Sequence, residues 1–236
     1  MNSEYFWNKI YTEHQARIPA EDDPVLLAAL KHFGDVRGLK LLDLGCGAGS
    51  TSLFFAKRGA EVIAVDISET AIKNLSHFCA ENKITNITAL KCSAFDILNL
   101  APFDFVFGSM ILHHLEPFGD FSDLLRKSII PGGKAFFYEN NAFSDLLIWF
   151  RNNLVGKFGI PKYGDEDEFP LMPQEVESLK NNFSVNIVYP ELLFFRLASV
   201  YLLKRHLYQP MQWLDNYLFQ FDGFKKYSYH QYLLIS

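Results

Sequence analysis

The stretch Leu41-Leu42-Asp43-Leu44-Gly45-Cys46-Gly47-Ala48-Gly49-Ser50 is an apolar run that breaks into alternating glycines and then into a helix-compatible segment. It reads as a strand, a tight turn and a helix start. Glycine serves where the backbone takes positive φ or lies against a ligand with no Cβ in the way. The helix that follows points free N–H groups at whatever sits on the turn, which makes the turn a ligand seat. Turns of this kind hold several nucleotide and nucleoside ligands, so the turn alone leaves the ligand open.

The pattern around the turn restricts the fold. Strand-like runs recur at 40–44, 61–66, 86–92, 103–109 and 134–139, with helical patterns at 50–58, 68–82 and 119–128 between them. Such alternation predicts a doubly wound parallel sheet with right-handed crossovers and both faces covered. Two helical segments precede the first strand, one over 3–17 and one opened by Pro24 and running to Phe33. After Glu139 the rhythm lapses into a helix over 142–155, a Gly-, Pro- and acid-rich loop over 156–170 and a helix over 173–181. Strands return at 184–189 and 227–235, separated by a helical, aromatic stretch over about 191–222. These two insertions are expected to act as lids, within a single domain whose parts are a helical cap (1–35), a core (36–141) and lids (142–182 and 191–226).

The second strand closes on Asp66, about one βα unit beyond the glycine turn. A carboxylate there accepts both hydroxyl hydrogen bonds of a ribose and repels a 2′-phosphate, although it could instead cap the helix beginning near Ser68. Ile67 is then expected beside the adenine. Ser93, Ala94 and Phe95 follow the third strand, where they flank the base ring, while Asp96 is expected to cap a short turn.

Composition excludes some functions. The net charge is −5 and no dense basic run occurs, so a nucleic-acid partner is not expected. Three cysteines, Cys46, Cys79 and Cys92, fit a reduced, cytoplasmic setting. Neither a secretory signal nor an apolar run of membrane-spanning length is visible. The aromatic fraction is 16% and heavy in the last third, which suits core and lid packing or an apolar substrate surface.

The fourth strand runs into Ser109-Met110-Ile111-Leu112-His113-His114-Leu115, and Ile130-Pro131-Gly132-Gly133 forms a turn before the fifth, which ends Tyr138-Glu139-Asn140-Asn141. With the glycine turn, the ribose acid and Phe103-Asp104-Phe105-Val106, this order and spacing resembles the class I S-adenosylmethionine-dependent methyltransferases over about 40–140. The resemblance implies a Rossmann-like sheet of seven strands with the seventh antiparallel, for which 227–235 is the candidate, and S-adenosyl-L-methionine as cofactor. It implies that Asp43, Gly45, Cys46 and Gly47 meet the methionyl half, Asp66 and Ile67 the adenosine, and Ser93 and Ala94 the adenine, with Tyr11 and Trp7 closing over the cofactor and Ser109 beside it. Many relatives carry Asp where this chain has Ser93. The competing nicotinamide dinucleotide fingerprint wants Gly or Ala where Ser50 stands.

The lid pattern looks like that of small-molecule methyltransferases of natural-product and surface-polysaccharide pathways. Relatives of that type use a His after the fourth strand and an acid at the end of the fifth, which implies His113 or His114 as general base and Glu139 as the group that orients it or binds substrate. Adjacent histidines cannot both face the pocket. Glu139 and Asn140 also resemble the acid–Asn pair of magnesium-dependent relatives, but Ser109 and Met110 stand where those carry a further acid, so no metal is expected. The acidic run Asp165-Glu166-Asp167-Glu168 is expected to be a solvated connection. The expected reaction is methyl transfer to a small-molecule acceptor, to oxygen by preference. Two alternatives are a lipid-linked or sugar acceptor at a membrane surface and a binding module without turnover. The aromatic stretch 191–222, with Arg196, Lys204, Arg205 and His206, suits an acceptor pocket, a peripheral membrane contact or a dimer face.

Overall fold

A computed structural model describes residues 3–153, 155, 157 and 169–236. Seven strands form one sheet: β1 (Lys40–Leu44), β2 (Glu61–Asp66), β3 (Ile87–Lys91), β4 (Phe103–Ser109), β5 (Ile129–Asn140), β6 (Val185–Val188) and β7 (His230–Ile235). Their spatial order is β3-β2-β1-β4-β5-β7-β6. Strands β1 to β5 pair in parallel, and β7 runs antiparallel between β5 and β6. This is the seven-stranded Rossmann-like arrangement that the alternation and the resemblance predict. The order reverses direction between β1 and β4, the switch point where doubly wound sheets open a crevice at the carboxyl ends of their strands.

The two faces of the sheet carry separate cores. Helices α2 (Pro24–Phe33), α3 (Ser50–Ala56) and α4 (Glu69–Glu81) pack Leu26, Phe33, Phe55 and Leu75 against Phe105, Phe107 and Phe136. On the other face α5 (Phe118–Ser128) and α7 (Pro173–Asn182) pack Phe121, Leu125 and Leu179 against Phe103, Phe137 and Leu233. Each fully buried Phe or Leu contributes about 1.5–3 kcal/mol relative to exposure, so this double layer holds the strand ends rigidly. The helices begin where the chain gives caps. Asp23 accepts from Val25 N and Leu26 N ahead of Pro24, and Ser68 accepts from Ala71 N at the start of α4.

Several expectations are corrected. The first helix, α1 (Ser3–Glu13), stops short of residue 17, and Pro19 disfavours helix at the residue before it. Ile130-Pro131-Gly132-Gly133 is not a turn ahead of β5 but its irregular first part. The pairing with β4 shifts between Phe103 and Phe105, and a Cβ on Gly133 would stand 2.7 Å from the Asp104 carbonyl. Asp96 holds the N-cap position of the short turn Ile97–Leu100, but its side chain makes no capping bond. Residues 142–155 contain α6 (Asp145–Asn153). The stretch 191–222 is three helices, α8 (Phe194–Leu202), α9 (Tyr208–Leu218) and α10 (Asp222–Lys225), broken where Lys204, Arg205 and Leu207 take positive φ. The last strand starts at His230, three residues later than expected. Asp165–Glu168 lie outside the described residues.

Candidate active site

The glycine turn is tied down from within. Gly45 N and Cys46 N both donate to the Val65 carbonyl at 2.9 Å, Gly47 N to Asp66 Oδ2 at 2.9 Å, and Gly49 N to the Cys46 carbonyl at 2.8 Å. These four N–H groups of the turn are spent within the turn and on β2. A phosphate cradle needs such donors pointing outward. Glycine is nevertheless required here: a Cβ on Gly47 would stand 2.5 Å from Tyr11 Oη, and one on Gly49 would stand 2.4 Å from a Leu75 methyl, both at positive φ.

Asp66 is the hinge of the site. Its Oδ2 accepts from Gly47 N, and its Oδ1 accepts from Ser68 N at 2.8 Å, so it links the turn to the start of α4. It does not cap that helix, because Ser68 does. Two N–H bonds leave lone pairs on both oxygens for further donors. Burial raises its pKa, opposed by the backbone N–H groups of Ser68 and Gly47.

Above this turn, at the carboxyl ends of β1 to β4, lies a cavity of about 350 Å³, within the usual range for small-molecule sites. Tyr11, Gly45, Asp66, Ile67, Ser93, Ala94, Ser109 and His114 all line it. Asp43, Cys46, Gly47, His113 and Glu139 do not. Asp43 lies buried beneath the turn, where Ser52 Oγ donates to its Oδ2 at 2.5 Å, and burial pushes its pKa up to about 7. Burial also holds the Tyr11 hydroxyl protonated far above the ordinary tyrosine range, with Asp66, Cys46 and Asp43 adding to the effect. Among the described residues, Asp66 is the one carboxylate that lines this cavity.

The two histidines separate. Glu139 Oε1 accepts from Ile111 N at 2.8 Å and Leu112 N at 2.7 Å, and its Oε2 pairs with His113 Nδ1 at 2.7 Å. Both side chains of this pair are essentially sealed from solvent. Glu139 thus pins the short turn Leu112–His114, and His113 is turned inward. His114, one residue on, lines the cavity, its ring 4.1 Å from that of His113 and edge-on to Trp7 at 5.9 Å.

Met110, Ile111, Leu44 and Val65 also form the wall and were not singled out from sequence. Their signal is positional, since the first residues past a parallel strand line the crevice at a switch point. Met110 sits at φ 52, with its N–H donated to the Tyr138 carbonyl at 2.8 Å, which turns the chain into the cavity.

A crevice at the carboxyl ends of parallel strands, on a seven-stranded sheet whose last strand in the chain is antiparallel, defines a methyltransferase-type α/β fold. The family described as "Methyltransferase domain" matches residues 41–133. A ubiquinone biosynthesis O-methyltransferase of Rickettsia bellii is 26% identical over 171 residues, covering 71% of this chain and 70% of the relative. A 2-heptyl-1-hydroxyquinolin-4(1H)-one methyltransferase of Mycobacteroides abscessus is 34% identical over 100 residues, covering 41% of this chain and 42% of the relative. The crystal structure of a SAM-dependent methyltransferase from Aquifex aeolicus shares the fold, with a TM-score of 0.55 at 19% identity, covering 78% of this chain and 91% of that one. The chain is a class I S-adenosylmethionine-dependent methyltransferase, and S-adenosyl-L-methionine is its cofactor. The residues present fit that group: Asp66, with one N–H bond on each oxygen, keeps acceptor capacity for ribose hydroxyls.

Proposed function

We propose that the chain methylates an oxygen of a small organic acceptor and that His114 is the base that takes the acceptor's proton. The carrying observation is the division between neighbours: His113 is locked by Glu139, while His114 forms cavity wall at the β4 side. Among the titratable groups on that wall, Asp66 is committed to Gly47 and Ser68, and Tyr11 is held protonated. The names of both curated relatives denote methylation of small molecules, one of them on oxygen.

S-adenosylmethionine supplies an electrophilic methyl group on a sulfonium centre when bound. In this reading Asp66 accepts the ribose hydroxyls, Ile67 lies against the adenine, and Ser93, Ala94 and Phe95 flank it. Tyr11, Gly45 and Ser109 border the methionyl half. Asp43, Cys46 and Gly47 act from behind the wall by holding the turn, and Trp7 and Tyr11 of α1 exclude water. His114 draws the proton from the acceptor hydroxyl as the oxygen attacks, a contribution of about 10²–10⁴-fold in rate. Glu139 is a positioning residue that acts through the backbone of Ile111 and Leu112.

The test uses release of S-adenosylhomocysteine with a panel of phenolic and other hydroxylated acceptors. His114→Ala is expected to lower kcat by about 10²–10⁴-fold and to remove the acid limb of its pH profile, with cofactor affinity by calorimetry nearly unchanged. Undiminished kcat in that variant would remove His114 from the mechanism.

A further inference from the structure

The described residues carry exposed aromatic side chains outside the lining of the methyl-transfer cavity. On the outer side of α9, Trp213 is 66% exposed, and its ring stacks on that of Tyr217 at 5.5 Å. Tyr217 meets Phe221 edge-on at 5.6 Å, and Phe221 meets Phe224 at 6.5 Å. Three residues after Phe224, Tyr227 packs edge-on to Phe143 at 5.5 Å just ahead of α6. On α6, Leu146 and Trp149 are 59% and 55% exposed. Isolated exposed aromatics need no explanation, but a row of four exposed rings from Trp213 to Phe224 does.

The charges near these rings are mainly basic, although Asp145 at the start of α6 is exposed as well. Lys204 and Arg205 project from the turn between α8 and α9, flanked by exposed Leu203 and Leu207. Lys226 lies over the rings of Phe143 and Tyr227, at 5.1 and 5.4 Å from their centroids. Of the nearby acids on the last insertion, Asp215 is buried against Arg196 and Asp222 is paired with Lys225. A basic aromatic face on a chain of net charge −5 is complementary to an anionic surface with an apolar interior. Trp and Tyr partition to the headgroup region of a bilayer, and lysine reaches past them to phosphates. A two-fold self-contact would instead press Lys204, Arg205 and Lys226 towards their own copies. Among the described residues no helix is long and apolar enough to cross a membrane, so the contact would be peripheral.

We propose that the outer faces of α6, α9 and α10 dock this methyltransferase onto an anionic phospholipid bilayer. This does not depend on the acceptor or on His114, and the vesicles of the test contain no acceptor. Flotation of the full chain with phosphatidylcholine vesicles, with and without phosphatidylglycerol, measures it. The chain is expected to float with the anionic vesicles, to be released by added salt, and to show a blue-shifted tryptophan emission that Trp149→Ser and Trp213→Ser together abolish. Lys204→Ser and Arg205→Ser are each expected to weaken binding roughly five-fold. Calorimetry with S-adenosylhomocysteine verifies that each variant is folded, and Trp149→Ser, on the other insertion, serves should a change in α9 unfold the chain. Failure of the parent to float, or flotation indifferent to all these changes, overturns the proposal. So does a dimer in solution that Trp213→Ser dissociates, since a second copy would then cover the face.

Discussion

Asp43 shows how one buried carboxyl couples the site to stability. Its pKa rises from 3.8 to about 7 because burial disfavours the charged form, with Asp66 adding to the effect and Ser52 opposing it. The folded state therefore holds this proton more tightly than the unfolded chain. The associated stabilisation is complete below about pH 4 and is lost as pH rises through about 7. Asp43→Asn keeps an acceptor for Ser52 and removes the titration. Relative to that variant, the cofactor-free parent is expected to lose up to about 4 kcal/mol between these limits, measured by urea unfolding at a series of pH values. Glu139 makes the opposite kind of contribution. Glu139→Ala leaves the N–H groups of Ile111 and Leu112 and the His113 ring without their acceptor, so a loss of about 3–5 kcal/mol is expected in the same assay. Glu139→Gln is expected to recover most of it, because its carbonyl still serves both N–H groups. The sequence marks Glu139 and the His pair as chemistry-bearing. It could not say which histidine turns inward, because that depends on a carboxylate reaching across from β5.

The element that closes the cavity is α1, and it is held by polar contacts rather than by a core. None of its residues is fully buried. Asn8 Oδ1 accepts from Ser68 Oγ at 2.8 Å and Thr70 N at 3.1 Å, Asn74 Nδ2 donates to the Tyr11 carbonyl at 2.9 Å, and Lys91 pairs with Glu4. These contacts tie the helix carrying Trp7 and Tyr11 to the start of α4, one residue beyond Ile67. Asn8→Ala is expected to weaken cofactor binding roughly five-fold, consistent with about 1 kcal/mol, and to lower amide protection over α1 while α3 and α4 keep theirs. Calorimetry and hydrogen exchange check the two halves. Helix α1 was visible from its amphipathic spacing, but its latch was not, since Asn8 meets Ser68 only through the fold. In the last insertion, apolar spacing predicted helix, yet only the structure shows Asp215 accepting from the Phe195 and Arg196 N–H groups at 2.9 Å, which clamps α8 onto α9.

The molecule as a whole distinguishes its cofactor from a dinucleotide by where its backbone donors go. Gly45, Cys46, Gly47 and Gly49 spend theirs on Val65, Asp66 and Cys46. S-adenosylmethionine at about 100 times its Kd is expected to add about 2.7 kcal/mol to the unfolding free energy, whereas a nicotinamide dinucleotide at equal concentration leaves Tm unchanged. Differential scanning calorimetry reads both, and an equal shift with the dinucleotide would contradict this account of the turn. The local sequence was sufficient for the strands, the glycine turn, the acid that ends β2 and hence the class of fold, because strand periodicity and positive-φ turns are properties of a few adjacent residues. The tertiary structure decided which of those residues meet the cavity, which carboxylate holds which loop, and that Tyr227 packs against Phe143. Those outcomes depend on pairings between segments far apart in the chain, which no local pattern encodes.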